Sequence, residues 1–238
     1  MERFEGTAAM ELVRGSVESA TRVNAFLKAV YGWMCAGLAI TALVAYSIAS
    51  GPALVQVLVT NHLLFLALFV AQIALVFFLS ARVDTLAPAT ATILFVAYAA
   101  VTGVTLAVLV LAYTEASIAT TFVVTAGMFG ALALYGSTTT RSLAGAGQFL
   151  FMGVIGLVLA SIVGLFWHSA ALQFLISVVG VIVFTGLTAW DAQRLRQMAL
   201  DLREGQLRSY AIVGALALYL DFINLFLFLL RFLGDRRE

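Results

Sequence analysis

The amino-acid sequence predicts an all-α membrane protein with seven transmembrane helices, and three observations lead to this prediction. Hydrophobic residues make up 63% of the 238 residues and charged residues only 11%, whereas a soluble domain carries about 25% charged residues. The apolar residues form seven separate runs of about 20 residues, the length that a helix needs to cross the hydrocarbon core of a bilayer. Most connections between these runs are too short to hold a domain outside the membrane.

The predicted spans lie between a polar N-terminal segment and a short C-terminal tail. Residues 1–25 contain four acids and three arginines without an apolar core, so we predict a polar cytoplasmic tail and not a secretory signal. The transmembrane domain is predicted to cover 26–234, followed by a tail at 235–238. Within the domain, the spans are predicted at 26–50, 62–80, 88–112, 117–135, 147–167, 170–190 and 210–233.

Small residues indicate where the predicted helices approach one another. Gly156, Ala160 and Gly164 recur every four residues in span five, and Ala211 and Ala215 do so in span seven. Small side chains at this spacing let membrane helices pack closely. Both stretches are therefore predicted to be helix–helix contact surfaces.

The basic residues predict the orientation of the bundle. Ten Lys and Arg residues lie before the first span, at its edge, or in the 2–3, 4–5 and 6–7 connections. The connections on the other side, 51–61, 113–116 and 168–169, carry none. Cytoplasmic loops are rich in Lys and Arg, so the N-terminus is predicted to be cytoplasmic, in a bacterial inner membrane. The basic C-terminal tail conflicts with this pattern, and a half-inserted last segment is the alternative to seven full spans.

Asp221 is the residue most indicative of function, because it lies near the centre of span seven in the sequence YAIVGALALYLDFINLFLFLL. A carboxylate at the centre of a membrane helix costs roughly 2.5 kcal/mol or more to insert, so such a residue usually has a functional role. Asn224 follows one helical turn later and is a candidate partner. The structural alternative is a protonated Asp221 that bonds to a neighbouring helix and serves packing alone.

Asp191, predicted to close span six in the sequence GLTAWDAQRLR, has two interpretations. It could form an interfacial ion pair with Arg194, or it could meet Asp221. The second interpretation requires span six to continue as a helix through Gln193, since Asp191 would otherwise lie much closer to the membrane surface than Asp221. Two carboxyl groups that meet in a low-dielectric site cannot both ionise at low cost and titrate as a unit. Their oxygens are also suitable ligands for a hard cation such as calcium, bound transiently.

Arg82, at the end of span two, is a candidate third member of this site. Its alternative role is that of an ordinary interfacial arginine paired with Asp84. No resident cofactor is predicted, and the net charge of +1 argues against a nucleic-acid partner. The sequence contexts of the two aspartates differ from those of intramembrane aspartyl proteases, and the last span lacks the lysine of a retinal protein. A non-enzymatic membrane protein is therefore predicted.

Three segments resemble the Bax inhibitor-1 family, also called the transmembrane Bax inhibitor motif family, and in particular its prokaryotic branch. They are YGSTTTRSLAGAGQFLFMGVIGLVLAS at 135–161, GLTAWDAQRLR at 186–196 and ALALYLDFINLFLFLLRFLG at 215–234. The resemblance implies six helices around a central C-terminal helix. It also implies that Asp191 and Asp221 form a hydrogen-bonded pair that senses pH and gates a calcium leak. In some members an arginine at the end of span two is linked to the pair, and Arg82 lies nearest to that position.

We therefore expect a pH-sensitive calcium leak channel with the lipid bilayer and the calcium ion as its partners. The alternative is a regulatory protein without transport activity that binds a membrane-anchored protease or another membrane complex, a second role that the resemblance implies. A proton-coupled carrier of small solutes is a third possibility, for which the sequence shows no recognition residues.

Overall fold

The computed structural model describes the backbone of residues 2–167 and 169–237, and the side chains from residue 17 onward except those of 52, 59, 165, 168, 204 and 238. The side chains of the first sixteen residues of the predicted polar tail therefore lie outside the described part. Eight α-helices are present in the described residues: α1 Glu2–Ala49, α2 Pro52–Thr60, α3 His62–Ala81, α4 Pro88–Ala112, α5 Glu115–Thr138, α6 Ala144–Phe166, α7 Ala170–Asp201 and α8 Leu207–Leu233.

All of these helices except α2 are long and apolar enough to cross a membrane. The predicted class, an all-α protein with seven spans, is thereby confirmed. Helix α2 occupies the connection predicted at 51–61 and begins with Pro52 in its first turn, where the missing N–H of proline costs no hydrogen bond. Helix α4 likewise begins at Pro88.

Helix α7 is longer than predicted, because it continues beyond 190 to Asp201. Its last three turns remain amphipathic: Ala192, Leu195 and Ala199 are buried, whereas Arg194 and Arg196 are exposed. Burial of this apolar stripe stabilises the extra turns although the segment is rich in polar residues. Asp191 is therefore inside a helix and does not close one, and the connection to α8 spans only residues 202–206.

The C-terminal helix α8 is the most buried of the seven spans. Inside the protein, 61% of its most apolar segment is buried, compared with 33% or less for each other span. It packs against α1, α3, α4, α5 and α7. By contrast, α3 and α6 have exposed large apolar side chains, among them Phe69, Phe77, Phe149 and Met152, as expected for helices that face lipid.

Close helix contacts form at only some of the predicted small residues. Ala211 and Ala215 of α8 are buried, as predicted. Gly156 of α6 is exposed, and a Cβ atom there would meet nothing within 4 Å, so the prediction for the stripe in span five is wrong at this residue. Among the described glycines, the closest approach is at Gly136 of α5, where an added Cβ would collide with the carbonyl oxygen of Ala189 on α7.

The two ends of the bundle differ in charge. The arginine-rich end is defined by Arg22 and by the arginines of the α3–α4, α5–α6 and α7–α8 regions: Arg82, Arg141, Arg194, Arg196, Arg203 and Arg208. At the opposite end, the C-terminal tail lies against the α4–α5 connection. The backbone N–H of Arg237 donates to the carbonyl of Ala112 at 3.0 Å, and its guanidinium lies 3.5 Å from Glu115. Helix α8 thus runs through the whole bundle, as seven full spans require.

Candidate functional site

Asp191 and Asp221 meet inside the bundle. Asp191 is 9% exposed and Asp221 is 5% exposed, and their side chains lie close enough to interact with each other. An ionised carboxylate only accepts hydrogen bonds, whereas a protonated carboxyl group also donates one. The two carboxyl groups can therefore form a hydrogen bond with each other only when the pair holds a proton.

The length of α7 explains why the two aspartates can meet. Ten residues separate Asp191 from the end of α7 at Asp201, which is about 15 Å along the helix axis at 1.5 Å per residue. Asp221 lies fourteen residues into α8, about 21 Å from its start at Leu207. Because α7 and α8 are antiparallel neighbours joined by a short connection, both residues lie well inside the bundle.

A cavity of about 280 Å³ connects Asp191 with the arginine-rich end. Its polar lining includes Ser80, Arg194 and Tyr210. The Arg194 guanidinium lies 3.9 Å from the Asp191 carboxylate and also over the Trp190 ring, at 5.4 Å from its centroid. The predicted Arg194 contact and the predicted Asp221 contact of Asp191 therefore coexist.

One carboxyl oxygen of Asp221 accepts no hydrogen bond from the described residues. Its Oδ2 atom is buried, and no N–H or hydroxyl group among the described residues donates to it. A buried acceptor without a donor is costly, so this oxygen is suited to bind a proton, a water molecule or a cation. No group of three or more His, Cys, Asp or Glu side chains comes together in the described part of the chain, and the aspartate pair itself is the set of residues that could hold calcium transiently.

A contact that could not be predicted from the sequence lies at the arginine-rich end, next to this cavity. The Tyr210 hydroxyl donates to the Asp84 carboxylate, and the Ser209 hydroxyl donates to the carbonyl of Leu86 at 3.0 Å. Together they attach the α3–α4 connection to the first turn of α8. The sequence signal was weak, because a tyrosine and a loop aspartate 126 residues apart are individually ordinary.

Arg82 lies apart from the aspartate pair. Its side chain is exposed and lies over the Phe78 ring, with 6.0 Å from guanidinium carbon to ring centroid. Among the described side chains, no ion pair joins Arg82 to Asp191, to Asp221 or to Asp84. The structure therefore supports neither predicted contact of Arg82.

Asn224 also makes no hydrogen bond to Asp221 within the described structure. Its amide donates to the backbone carbonyl of Leu220 at 2.8 Å. The side chain lines a second cavity, of about 570 Å³, between α3, α4 and α8. Gln72 and Thr105 line this cavity as well and are joined by a hydrogen bond of 2.9 Å.

One residue, Leu220, borders both of these cavities. The smaller cavity extends from Leu220 past Asp191 toward the arginine-rich end, and the larger one extends from Leu220 past Asn224 to Arg231 near the opposite end. Leu220 lines both of them. In channels, an apolar side chain between two hydrated cavities can close the path by excluding water.

Comparison with known proteins agrees with this architecture. The family model described as inhibitor of apoptosis-promoting Bax1 matches residues 23–238. The chain belongs to the Bax inhibitor-1 family. Inner membrane protein YbhL of Escherichia coli is 50% identical over the full length of both chains. An uncharacterized protein of Borreliella burgdorferi is 44% identical over 90% of this chain and 94% of its own, and YrjE of Lactococcus lactis is 37% identical over 89% and 91%.

This member of the Bax inhibitor-1 family is thus an integral, multi-pass membrane protein. The family model and the YbhL relationship cover the helices that carry both aspartates. The name of YbhL specifies an inner-membrane location and no transported substrate.

Proposed function

We propose that this protein is a pH-sensitive calcium leak channel in which Asp191 and Asp221 form the gate. The observation that carries the proposal is the proximity of two buried carboxyl groups, one of which, Asp191, lines a cavity. Such a pair changes both its charge and its hydrogen bond when it gains or loses a proton. Carboxylate, amide and hydroxyl oxygens are also the ligands that calcium prefers.

The proposed path uses the two cavities on either side of Leu220. An ion entering from the opposite end would pass the amides of Gln72 and Asn224 and then the aspartate pair before reaching the arginine-rich end. We assign the arginine-rich end to the cytoplasm, since Lys and Arg accumulate in cytoplasmic loops. Thiol labelling of Ser142→Cys and Thr60→Cys in intact cells, in a Cys35→Ala background, tests this orientation, and labelling of Ser142→Cys from outside would reverse it.

Gating follows from the charge of the pair. When the pair holds a proton, one carboxyl group donates to the other and α7 and α8 remain together. When the proton leaves, two negative charges face each other, and their electrostatic repulsion favours the separation of α7 from α8. Arg194 contacts Asp191, Tyr210 lines the same cavity as Asp191, and Asp84 accepts from Tyr210. These charged and titratable groups modulate the change.

Calcium flux into liposomes with an internal calcium dye, measured at pH 6, 7 and 8, tests the proposal. Wild type should show a flux that depends on pH, and Asp221→Asn and Asp191→Asn should each lose this dependence. Asp201→Asn is the matched control, because Asp201 is an exposed acid at the end of the same helix. Wild-type pH dependence in Asp221→Asn would refute the gate, and flux no greater than that of empty liposomes would refute the channel.

The length of α1 favours a regulatory role as the second candidate. This helix has 48 residues and is about 72 Å long, more than twice the roughly 30 Å of the hydrocarbon core. A helical arm outside the membrane is a suitable surface for binding a membrane protease or another membrane complex. Deletion of residues 2–16 should abolish co-purification with such a partner and leave calcium flux intact. The channel proposal predicts that Asp221→Asn removes the pH dependence of the flux both in the full-length protein and in the deletion variant.

A further inference from the structure

A third cavity, of about 390 Å³, lies at the arginine-rich end between α1, α4 and α8. It is separate from the aspartate pair. Two arginines, Arg22 and Arg208, line it together with apolar side chains that include Phe26, Trp33 and Ile212. The cavity lining therefore combines two basic side chains with an apolar surface.

Arg22 has buried donors that lack an acceptor. Its Nε and Nη2 atoms are both buried, and no acceptor among the described residues bonds to either. Glu18, one turn earlier on α1, lines an adjacent pocket with Arg22 but accepts from neither of these nitrogens. A guanidinium is charged at any physiological pH, so its unpaired buried donors favour an anion.

The backbone adds to the positive potential of this cavity. Helix α4 begins at Pro88 and helix α8 at Leu207, and both residues line the cavity. Neither helix start has a side-chain cap. The N-terminal end of a helix carries a partial positive charge that attracts anions, so two helix starts and two arginines favour the same kind of ligand.

We propose that this cavity binds the phosphate of an anionic phospholipid. Arg22 and Arg208 would contact the phosphate oxygens, since guanidinium groups bind phosphate through paired charge-assisted hydrogen bonds. The acyl chain would lie along Trp33 and Phe26 toward the membrane interior. Basic pockets between transmembrane helices are typical sites for acidic lipid headgroups. A soluble phosphate compound shares the headgroup chemistry but has no group to cover the apolar wall.

Trp33 provides a local reporter for the test. The full-length protein is placed in phosphatidylcholine nanodiscs that contain increasing amounts of phosphatidylglycerol with brominated acyl chains, which quench nearby tryptophan fluorescence. The difference in fluorescence between wild type and Trp33→Phe isolates the signal of Trp33. We expect stronger quenching by brominated phosphatidylglycerol than by brominated phosphatidylcholine at the same mole fraction.

Arginine variants then separate a specific site from general surface attraction. Arg22→Gln should weaken the affinity for phosphatidylglycerol, measured from the concentration dependence of the quenching, about tenfold. This change corresponds to the loss of one charged hydrogen bond. Arg208→Gln should weaken this affinity as well. Because Arg208 is exposed, this variant should fold normally, and it tests the site even if the Arg22 variant misfolds. Arg196→Gln, an exposed arginine on α7 that does not line the cavity, should have no effect.

Three outcomes would overturn the proposal. Equal quenching by the two brominated lipids would exclude a headgroup site, and equal effects of Arg196→Gln and Arg22→Gln would indicate diffuse attraction only. Complete displacement of the brominated lipid by inorganic phosphate in the bath would assign the site to a soluble phosphate compound and exclude the lipid.

Discussion

The hydroxyl groups of Tyr219 and Thr41 lie 2.7 Å apart in the centre of the bundle. Thr41 uses its only hydroxyl hydrogen to donate to the carbonyl of Ala99 at 2.9 Å, so Tyr219 donates to Thr41. This chain of two bonds joins α8, α1 and α4 two residues before Asp221. The Tyr219 ring also packs edge-on against Phe95 and Tyr98, at 5.9 and 5.8 Å between centroids.

Tyr219→Phe keeps the ring and removes this hydrogen bond. We expect the free energy of unfolding to fall by about 1 kcal/mol, the net value of a typical buried hydrogen bond, with a lower Tm in detergent. Tyr46→Phe is the matched control, since Tyr46 is 65% exposed and its change should lie within about 0.5 kcal/mol. Equal Tm values for wild type and Tyr219→Phe would contradict the prediction.

The contact between Gly136 and Ala189 predicts a second effect on stability. An alanine Cβ at Gly136 would collide with the backbone of α7, which cannot move aside like the end of a flexible side chain. We expect Gly136→Ala to lower the stability by about 1–3 kcal/mol or more. Gly130→Ala, on the same helix with nothing within 4 Å of its added Cβ, should be neutral or stabilising by up to about 1 kcal/mol. Thermal unfolding of both variants in the same detergent checks this difference.

The aspartate pair should make stability depend on pH. As pH rises and the pair loses its proton, wild type acquires two negative charges in contact and becomes less stable. Asp221→Asn places an amide donor opposite Asp191 at every pH, so it does not undergo this loss. The Tm of the variant minus that of wild type should therefore increase from pH 6 to pH 8. A difference that stays constant or decreases would show that the pair does not share a proton in this range.

Leu220 is expected to limit calcium flux. Leu220→Ala removes the apolar side chain between the two cavities, so water and ions should pass more easily and the flux should rise at the pH at which wild type is least active. Leu227→Ala is the matched control, because Leu227 lies on the same helix and lines only the larger cavity. The liposome assay checks both variants, and an equal rise in both would indicate general loosening of the bundle.

Local sequence patterns predicted the spans well, because a run of about 20 apolar residues is sufficient to cross a bilayer whatever its neighbours are. The same reasoning failed at the end of α7. The segment after 190 is polar enough to look like a loop, yet it is a helix because Ala192, Leu195 and Ala199 pack inside the protein. Burial by other helices is not visible in a single segment of sequence.

The candidate site was predicted in part. Asp221 was identified as a buried acid because its cost within an apolar helix is a property of the sequence around it. The structure does not bring Arg82 to the aspartate pair, since the direction of its side chain depends on the rotation of α3 and it lies over Phe78. Tyr210 and Asp84 were missed, because their contact brings together residues far apart in the chain.

The sequence by itself therefore determined the seven-span class, the charge difference between the two ends and the presence of one costly acid in the last span. These follow from hydrophobicity and charge along the chain, which are local properties. The tertiary structure alone decided that Asp191 meets Asp221, that Leu220 lies between two cavities and that Arg22 has unpaired buried donors. These depend on helix register, rotation and close approach, which are set by packing among side chains from different helices.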